Sequence, residues 1–265
     1  MHEWMSQQNA PLREEDGGIV SYWEDAGLER KKLGLIGAMD EEIAFFHEHM
    51  SETREVRHAG IDYFAGRLFG RDAVFCKCGV GKVNAAICTQ VLIYLFEVDA
   101  VVFTGVAGAL DPELEIGDVV VSGECMQHDM DVSALGYARG IIPYQELSLF
   151  PADPELKDLA LRAGEKLFPG RVSCGRVLSG DQFIASREKV EELHRELGGT
   201  CAEMEGAAVA QVCSLNAVPY VVIRSMSDKA DGSAPGNFTD FASRAAENSF
   251  RLVRELISAL PAIED

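Results

Sequence analysis

Short apolar runs alternate with amphipathic stretches along most of the chain. LGLIGAM (33–39) is too short for an ordinary helix, and DEEIAFFHEHM (40–50) follows it with apolar residues at helical spacing. IDYFAGRLFGRDAVFCKC (61–78) alternates and turns at 70–72, which predicts a hairpin. Helical spacing resumes over 81–97. A strand over 99–108 ends in glycines, and 117–132 reads as extended. Further on, the pattern predicts a helix over 154–168, a strand over 174–181, a charged helix over 186–197, a strand over 218–228 and a long helix over 238–260. Apolar strands interleaved with helices predict one α/β domain in three layers, a central mixed, mostly parallel sheet flanked by helices. DGSAPGNF (231–238) reads as a loop cluster of the kind that covers sites.

In such sheets ligands gather at the carboxyl ends of the strands. Four strand ends carry unusual residues: GAMDEE, TGVAG, AEMEG and SMSD. Three of them bring carboxylates, namely Glu42 with its neighbours, Glu205 and Asp228, and converging acids point to acid–base work. Each acid also has a structural alternative. Asp40, Glu41 and Glu42 suit a helix N-terminus. Glu203 and Glu205 suit a strand edge and a helix cap, and Asp228 suits a turn.

Composition removes several function classes. The formal net charge of −19, from 43 acids against 24 Lys and Arg, argues against nucleic-acid or anionic-membrane partners. Glu97 and Asp99 break the longest apolar run, so no segment reads as a membrane span. Residues 1–31 are acidic, lack the pattern of a signal peptide, and read as a mobile or loosely docked extension before a domain over 32–265. The 7 cysteines are scattered, without C-x-x-C or zinc spacing, and read as free thiols of a reducing, cytoplasmic compartment. His47 and His49 flank Glu48 without forming H-E-x-x-H, so no metal site is expected. GVGKVNAA (79–86) puts Asn84 where a dinucleotide fingerprint needs its third glycine, and no phosphate loop is present. Those glycines read as a tight strand-to-helix turn, and TGVAGAL lets the backbone approach a neighbouring element or a flat ligand.

GLIGAMDEEIA, CGVGKVNAA, FTGVAGAL, GDVVVS, SGDQFI, AEMEGAAVAQVC and IRSMSDKAD occur in this order with fitting gaps. Together they resemble the 5′-methylthioadenosine/S-adenosylhomocysteine nucleosidases of the nucleoside phosphorylase superfamily, over about 32–260. The resemblance implies hydrolysis of the N-glycosidic bond of an adenine nucleoside with a 5′-thio substituent, within methionine salvage and nucleoside catabolism. 6-Amino-6-deoxyfutalosine and 5′-deoxyadenosine are further candidate substrates. Asp228 matches the family's acid, aimed at purine N7, and a dry pocket favours the protonated form that this role needs. Glu42 matches the base that activates water on the opposite face of the sugar.

Glu205 matches the acceptor for the ribose hydroxyls, Met204 the floor under the ribose, and Glu203 a supporting residue of the same motif. Phe183 matches the ring that stacks on adenine, and Ile184 the backbone that reads its edge. Val80 and Phe238 match the walls of the alkylthio end. Met39, Val106, Ala107, Gly108 and Ser227 complete the expected lining. Leu135, Tyr137 and Pro143 match positions that reach into a neighbouring subunit's site, which implies a homodimer. No cofactor and no metal are implied. Val106 departs from relatives that carry serine there, which removes a hydroxyl near the sugar.

Two rivals remain at this level. A phosphorolytic purine nucleoside phosphorylase needs a cationic cradle, for which Lys82 is the lone candidate, and Glu42 repels phosphate while suiting water. A non-catalytic nucleoside sensor needs neither the acid nor the base.

Overall fold

The structure is a computed structural model that describes residues 32–229 and 234–260, the side chains of 234–240 and 242 excepted. The expected extension over 1–31 and the loop at 230–233 lie outside the described residues.

The chain begins with β1 (Leu33–Gly37), α1 (Asp40–His49), β2 (Met50–His58), β3 (Ile61–Leu68), β4 (Arg71–Lys77) and α2 (Lys82–Tyr94). Next come β5 (Ala100–Ala109), β6 (Val119–Gln127), a 3-10 turn (Ser133–Leu135), β7 (Leu149–Pro151), α3 (Pro154–Leu167) and β8 (Val172–Ser179). The last elements are α4 (Arg187–Leu197), β9 (Cys201–Glu203), α5 (Gly206–Leu215), β10 (Tyr220–Asp228) and α6 (Ala234–Ala259). The expected hairpin is β3 and β4, but its turn is at Phe69 and Gly70 rather than 70–72, because Arg71 and Asp72 already pair with Leu68 and Arg67. α6 starts earlier than expected, so 234–238 are helix rather than loop. Pro235 is compatible with this because the first turn has no partner for the N–H that proline lacks.

One mixed sheet runs through the molecule. Its centre is parallel: β1 lies between β4 and β5, and β10 lies on the other side of β5. Antiparallel β3 and β2 extend the β4 edge. On the opposite side β10 pairs β6, β6 pairs β8, β8 pairs β9, and β9 returns to β5. The strands β5, β10, β6, β8 and β9 therefore close into a ring of pairings. The charged strand β2, with its mostly exposed MSETREVRH, lies at the sheet's edge, where charge discourages further pairing.

Helices cover both faces because each strand of the centre is apolar on both sides. One core packs α2 and α5 against the sheet through Ala85, Cys88, Leu92, Ala207 and Val209. The other packs α1, α3 and α6 through Phe46, Leu156, Phe250 and Leu256. Phe46 is fully buried, with its ring 5.9 Å from Phe75 and 5.4 Å from Phe250, and truncating it to alanine costs about 3–5 kcal/mol. Among the described residues no helix is long and apolar enough to cross a membrane.

Candidate active site

The carboxyl ends of β1, β5 and β10 converge with the Glu203–Glu205 turn on one cavity of about 310 Å³. Its lining includes Met39, Glu42, Val80, Val106, Ala107, Gly108, Phe183, Ile184, Glu203, Met204, Glu205, Ser227 and Asp228. Every site residue expected from this subunit is thus in one place, Phe238 excepted, whose side chain lies outside those described. Ala38, Gln182 and Ala202 also line the cavity and were not anticipated. Leu135, Tyr137 and Pro143 are not part of its lining within one chain.

Glu42 is placed by the start of α1. As the third residue of the helix it turns inward, whereas Asp40 pairs with Lys77 at 2.7 Å in solvent and Glu41 is exposed. The first-turn acids therefore divide, and only Glu42 faces the cavity. Its Oε2 accepts from the N–H groups of Ala38 at 2.5 Å and Met39 at 3.0 Å, and Oε1 accepts from Val106 N–H at 3.0 Å. Burial pushes its carboxyl above the ordinary range, against the opposing pull of the Arg224 guanidinium and the three N–H groups. Gly105 makes this seat possible: a Cβ there would lie 2.8 Å from Glu42 Cδ and 3.1 Å from Arg224 Nη1. The neighbour that TGVAGAL admits is this carboxylate.

Glu203, Met204 and Glu205 form the turn into α5. Glu203 accepts from Glu205 N–H at 3.1 Å, from Gly206 N–H at 2.8 Å, from Arg224 Nη2 at 2.7 Å and from the Ser179 hydroxyl. It braces the helix start, where the dipole favours a negative charge. Glu205 is buried, and its Oε1 accepts from Gly81 N–H at 2.7 Å. Burial, then the neighbouring Glu203 charge, raises its carboxyl to about 8. Gly81 presents that N–H from a φ of 100° as the residue before α2, a conformation that suits glycine.

Asp228 ends β10 beyond a register shift between Met226 and Asp228, the kind of bulge that re-aims a side chain. Asp228 is buried, and the Ser227 hydroxyl stands 2.8 Å from its Oδ2 and 3.3 Å from Ala107 O. That hydroxyl can donate to the ionised carboxyl, or accept from the protonated one while donating to Ala107. Phe183 and Val80 stand at the rim, about half exposed.

Arg224 is the buried charge behind the cavity that the sequence reading did not point to. It is 1% exposed, within a strand buried throughout, with its guanidinium carbon 3.9 Å from the Phe103 ring centroid. Desolvation works against its charge, yet Glu203, Glu42 and Glu205 together raise its pKa. A lone arginine inside YVVIRSMSD was the available signal, since arginine is rarely buried unless paired. Among the described residues no group of three or more His, Cys, Asp or Glu could hold a metal.

The model of the phosphorylase superfamily matches residues 32–258. A 5′-methylthioadenosine/S-adenosylhomocysteine nucleosidase of Marinomonas sp. is 41% identical over 226 residues, covering 85% of this chain and 97% of its own. The crystal structure of such a nucleosidase from Neisseria meningitidis, in complex with methylthio-immucillin-A, matches with a TM-score of 0.84 and 38% identity over 87% of this chain and 100% of that one. The native futalosine hydrolase of Helicobacter pylori matches with a TM-score of 0.83 and 33% identity over 87% and 98%.

Proposed function

The chain belongs to the 5′-methylthioadenosine/S-adenosylhomocysteine nucleosidases of the phosphorylase superfamily, and from that premise and the cavity we propose how it works. It hydrolyses the N-glycosidic bond of methylthioadenosine and S-adenosylhomocysteine, releasing adenine and the 5′-thioribose product. Adenine leaves poorly as an anion, so Asp228 delivers a proton to N7 as the bond breaks. Glu42, as the carboxylate, orients and deprotonates the water that attacks the sugar from the far side. Glu205 accepts from the ribose hydroxyls, Met204 lies under the ring, and Phe183 stacks on the base, with Ile184 offering its backbone. Val80 borders the thioalkyl group. Glu203 serves the site through Glu205 and Arg224 rather than by touching substrate. With valine at 106, the contribution there is the backbone N–H on Glu42 rather than a hydroxyl.

One observation carries this reading. Glu42 and Asp228 face a single cavity whose described lining holds carboxylates and no lysine, arginine or histidine. A phosphate dianion would find no cationic partner there, whereas water needs none. The cationic candidate for a phosphate cradle is also occupied: Lys82 Nζ donates to Asp129 at 2.6 Å and to Gln127 at 2.9 Å.

The enzyme works as a cytoplasmic homodimer in methionine salvage. Exposed Val83 and Ile87 on α2, at 70% and 40%, and Leu135, at 72%, support an apolar face for a second copy, which brings Leu135, Tyr137 and Pro143 to the neighbouring cavity. The free thiols support a reducing compartment. 6-Amino-6-deoxyfutalosine is the further candidate substrate, in line with the match to a futalosine hydrolase. The test is adenine release from methylthioadenosine, S-adenosylhomocysteine and aminodeoxyfutalosine, with and without phosphate. Release from the first two, independent of phosphate, is expected. A strict phosphate requirement would replace hydrolysis by phosphorolysis.

A further inference from the structure

The chemistry above makes no use of Lys82, yet its ammonium is among the best-held groups around the cavity. Lys82 opens α2, directly after the 79–81 turn that carries Val80 and the Gly81 N–H on Glu205. Its side chain is 17% exposed, and the ammonium bonds Asp129 and Gln127, just beyond and at the end of β6. Asp129 uses its other oxygen to accept from Asp181 N–H at 3.0 Å, and Asp181 Oδ1 accepts from Lys82 N–H at 2.8 Å. These contacts close a cycle through Lys82, Asp129 and Asp181. Gln127 extends it by donating to Gln211 of α5 at 2.6 Å. The neighbouring backbone is tightly fitted as well: a Cβ on Gly180 would lie 2.5 Å from His128 Cε1.

We propose that Lys82 is a positioning residue whose cycle with Asp129 and Asp181 fixes the 79–81 turn against the 181–184 segment, so that the sugar-holding and base-stacking sides of the cavity keep one spacing. Asp181 leads directly into Gln182, Phe183 and Ile184 of the lining, so a shift at Asp181 moves the base-stacking wall. Burial pushes the Asp129 carboxyl up, but the Lys82 ammonium and the Asp181 N–H hold it below the ordinary range, as an ion pair in place requires. A positioning role predicts weaker binding with the chemical step retained.

The inference rests on the nucleosidase reading, and the test separates the two. Full-length Lys82→Met, Lys82→Arg and Asp129→Asn are compared with the parent protein in methylthioadenosine turnover, equilibrium binding of free adenine, and thermal melting. Lys82→Met and Asp129→Asn are expected to raise KM and the adenine Kd about tenfold, with kcat changed less than about threefold and partial recovery in Lys82→Arg. Unchanged KM and Kd in both variants overturn the proposal. A fall in kcat at constant KM also overturns it, because Lys82 would then act on the reacting atoms. A turnover that needs phosphate, with that dependence lost in Lys82→Met, makes Lys82 a phosphate ligand and overturns it too. Should Lys82→Met fail to fold, Asp181→Ala at the exposed rim breaks the same cycle, and the same shifts in KM and Kd decide. If the parent protein releases no adenine, the nucleosidase reading fails while the adenine Kd still reads the brace.

Discussion

Glu203 and Glu205 are two residues apart in sequence and serve opposite ends. Glu203 is surrounded by donors: the Ser179 hydroxyl, two backbone N–H groups at the start of α5, and Arg224. Glu205 faces the cavity with one backbone donor, Gly81 N–H, and its carboxyl is raised to about 8. The comparison separates a carboxylate whose demands are met inside the protein from one whose demands are left for a ligand. The first rigidifies the turn, and the second is the one the proposed mechanism gives to the ribose. Glu42 shares something with each: three N–H groups hold it, as donors hold Glu203, yet it faces the cavity and burial still pushes it up, as with Glu205.

The largest effects should come from the groups at the reacting atoms. Glu42→Gln and Asp228→Asn are each expected to lower kcat by about 10²–10⁴ with melting temperature preserved, measured by steady-state adenine release. In the proposed mechanism the base works as the carboxylate, so kcat/KM of the parent protein should fall as pH drops through the raised Glu42 pKa, at a point above the 4.5 of an ordinary glutamate. Near-parent turnover in Glu42→Gln would assign the base elsewhere.

The next effect is on stability. Glu203→Gln deprives the buried Arg224 charge of the carboxylate it hydrogen-bonds; the two side chains are 4% and 2% exposed. Removal of one member of such a pair costs about 3–5 kcal/mol. Denaturant midpoints should therefore shift far more for Glu203→Gln than for any change at Glu205. Equal, small shifts would erase the distinction drawn between the two glutamates.

Gly105→Ala sharpens the same contrast from the other side of the cavity. The added methyl would crowd Glu42 and Arg224 together. A displacement of the base on the order of 1 Å costs about 10² in rate. The measurement is kcat on methylthioadenosine beside the melting temperature. Full activity in this variant would mean that the Glu42 seat tolerates what its geometry says it cannot.

Much of this was legible in the sequence for a physical reason. Strand-end motifs are local, so Met39, Glu42 and Asp228 come to one end of the sheet as soon as β1 and β10 run parallel to the β5 between them, and the Glu205 turn follows β9 where it pairs β5 at Gly108. Arg224 was not legible as a site residue, because its partners Glu203, Glu42 and Glu205 come from two other segments and only the fold brings them together. Gly105 was visible as a close approach, but its neighbour was not. The ring of strands was also hidden. The antiparallel pairing of β9 with β5 covers only Gly108 with Ala202 and Ala109 with Cys201, and an apolar run does not announce its direction. Strand β2 was passed over because the edge carries charge on both faces and shows no clean alternation.

The smallest effect has the most telling sign. The folded-state pKa of Glu205, about 8, lies above the 4.5 of an ordinary glutamate, so the folded chain holds that proton more tightly than the unfolded chain does. Its contribution to stability is therefore fullest below pH 4.5 and drains away as pH rises toward 8. Glutamine cannot ionise and escapes this loss. Glu205→Gln should thus be more stable than the parent protein at pH 8, by about 1–2 kcal/mol once coupling to Glu203 and access from the cavity are discounted, or roughly 2–8 °C in melting temperature. The gain should fade as pH falls to about 5, where the parent side chain is largely protonated. Affinity for methylthioadenosine should fall in the same variant, because the ribose loses a carboxylate acceptor. Melting curves at the two pH values decide the matter. A stability gain independent of pH would assign the benefit to packing, whereas a loss at pH 8 would mean that Glu205, like Glu203, is already fully partnered within the protein.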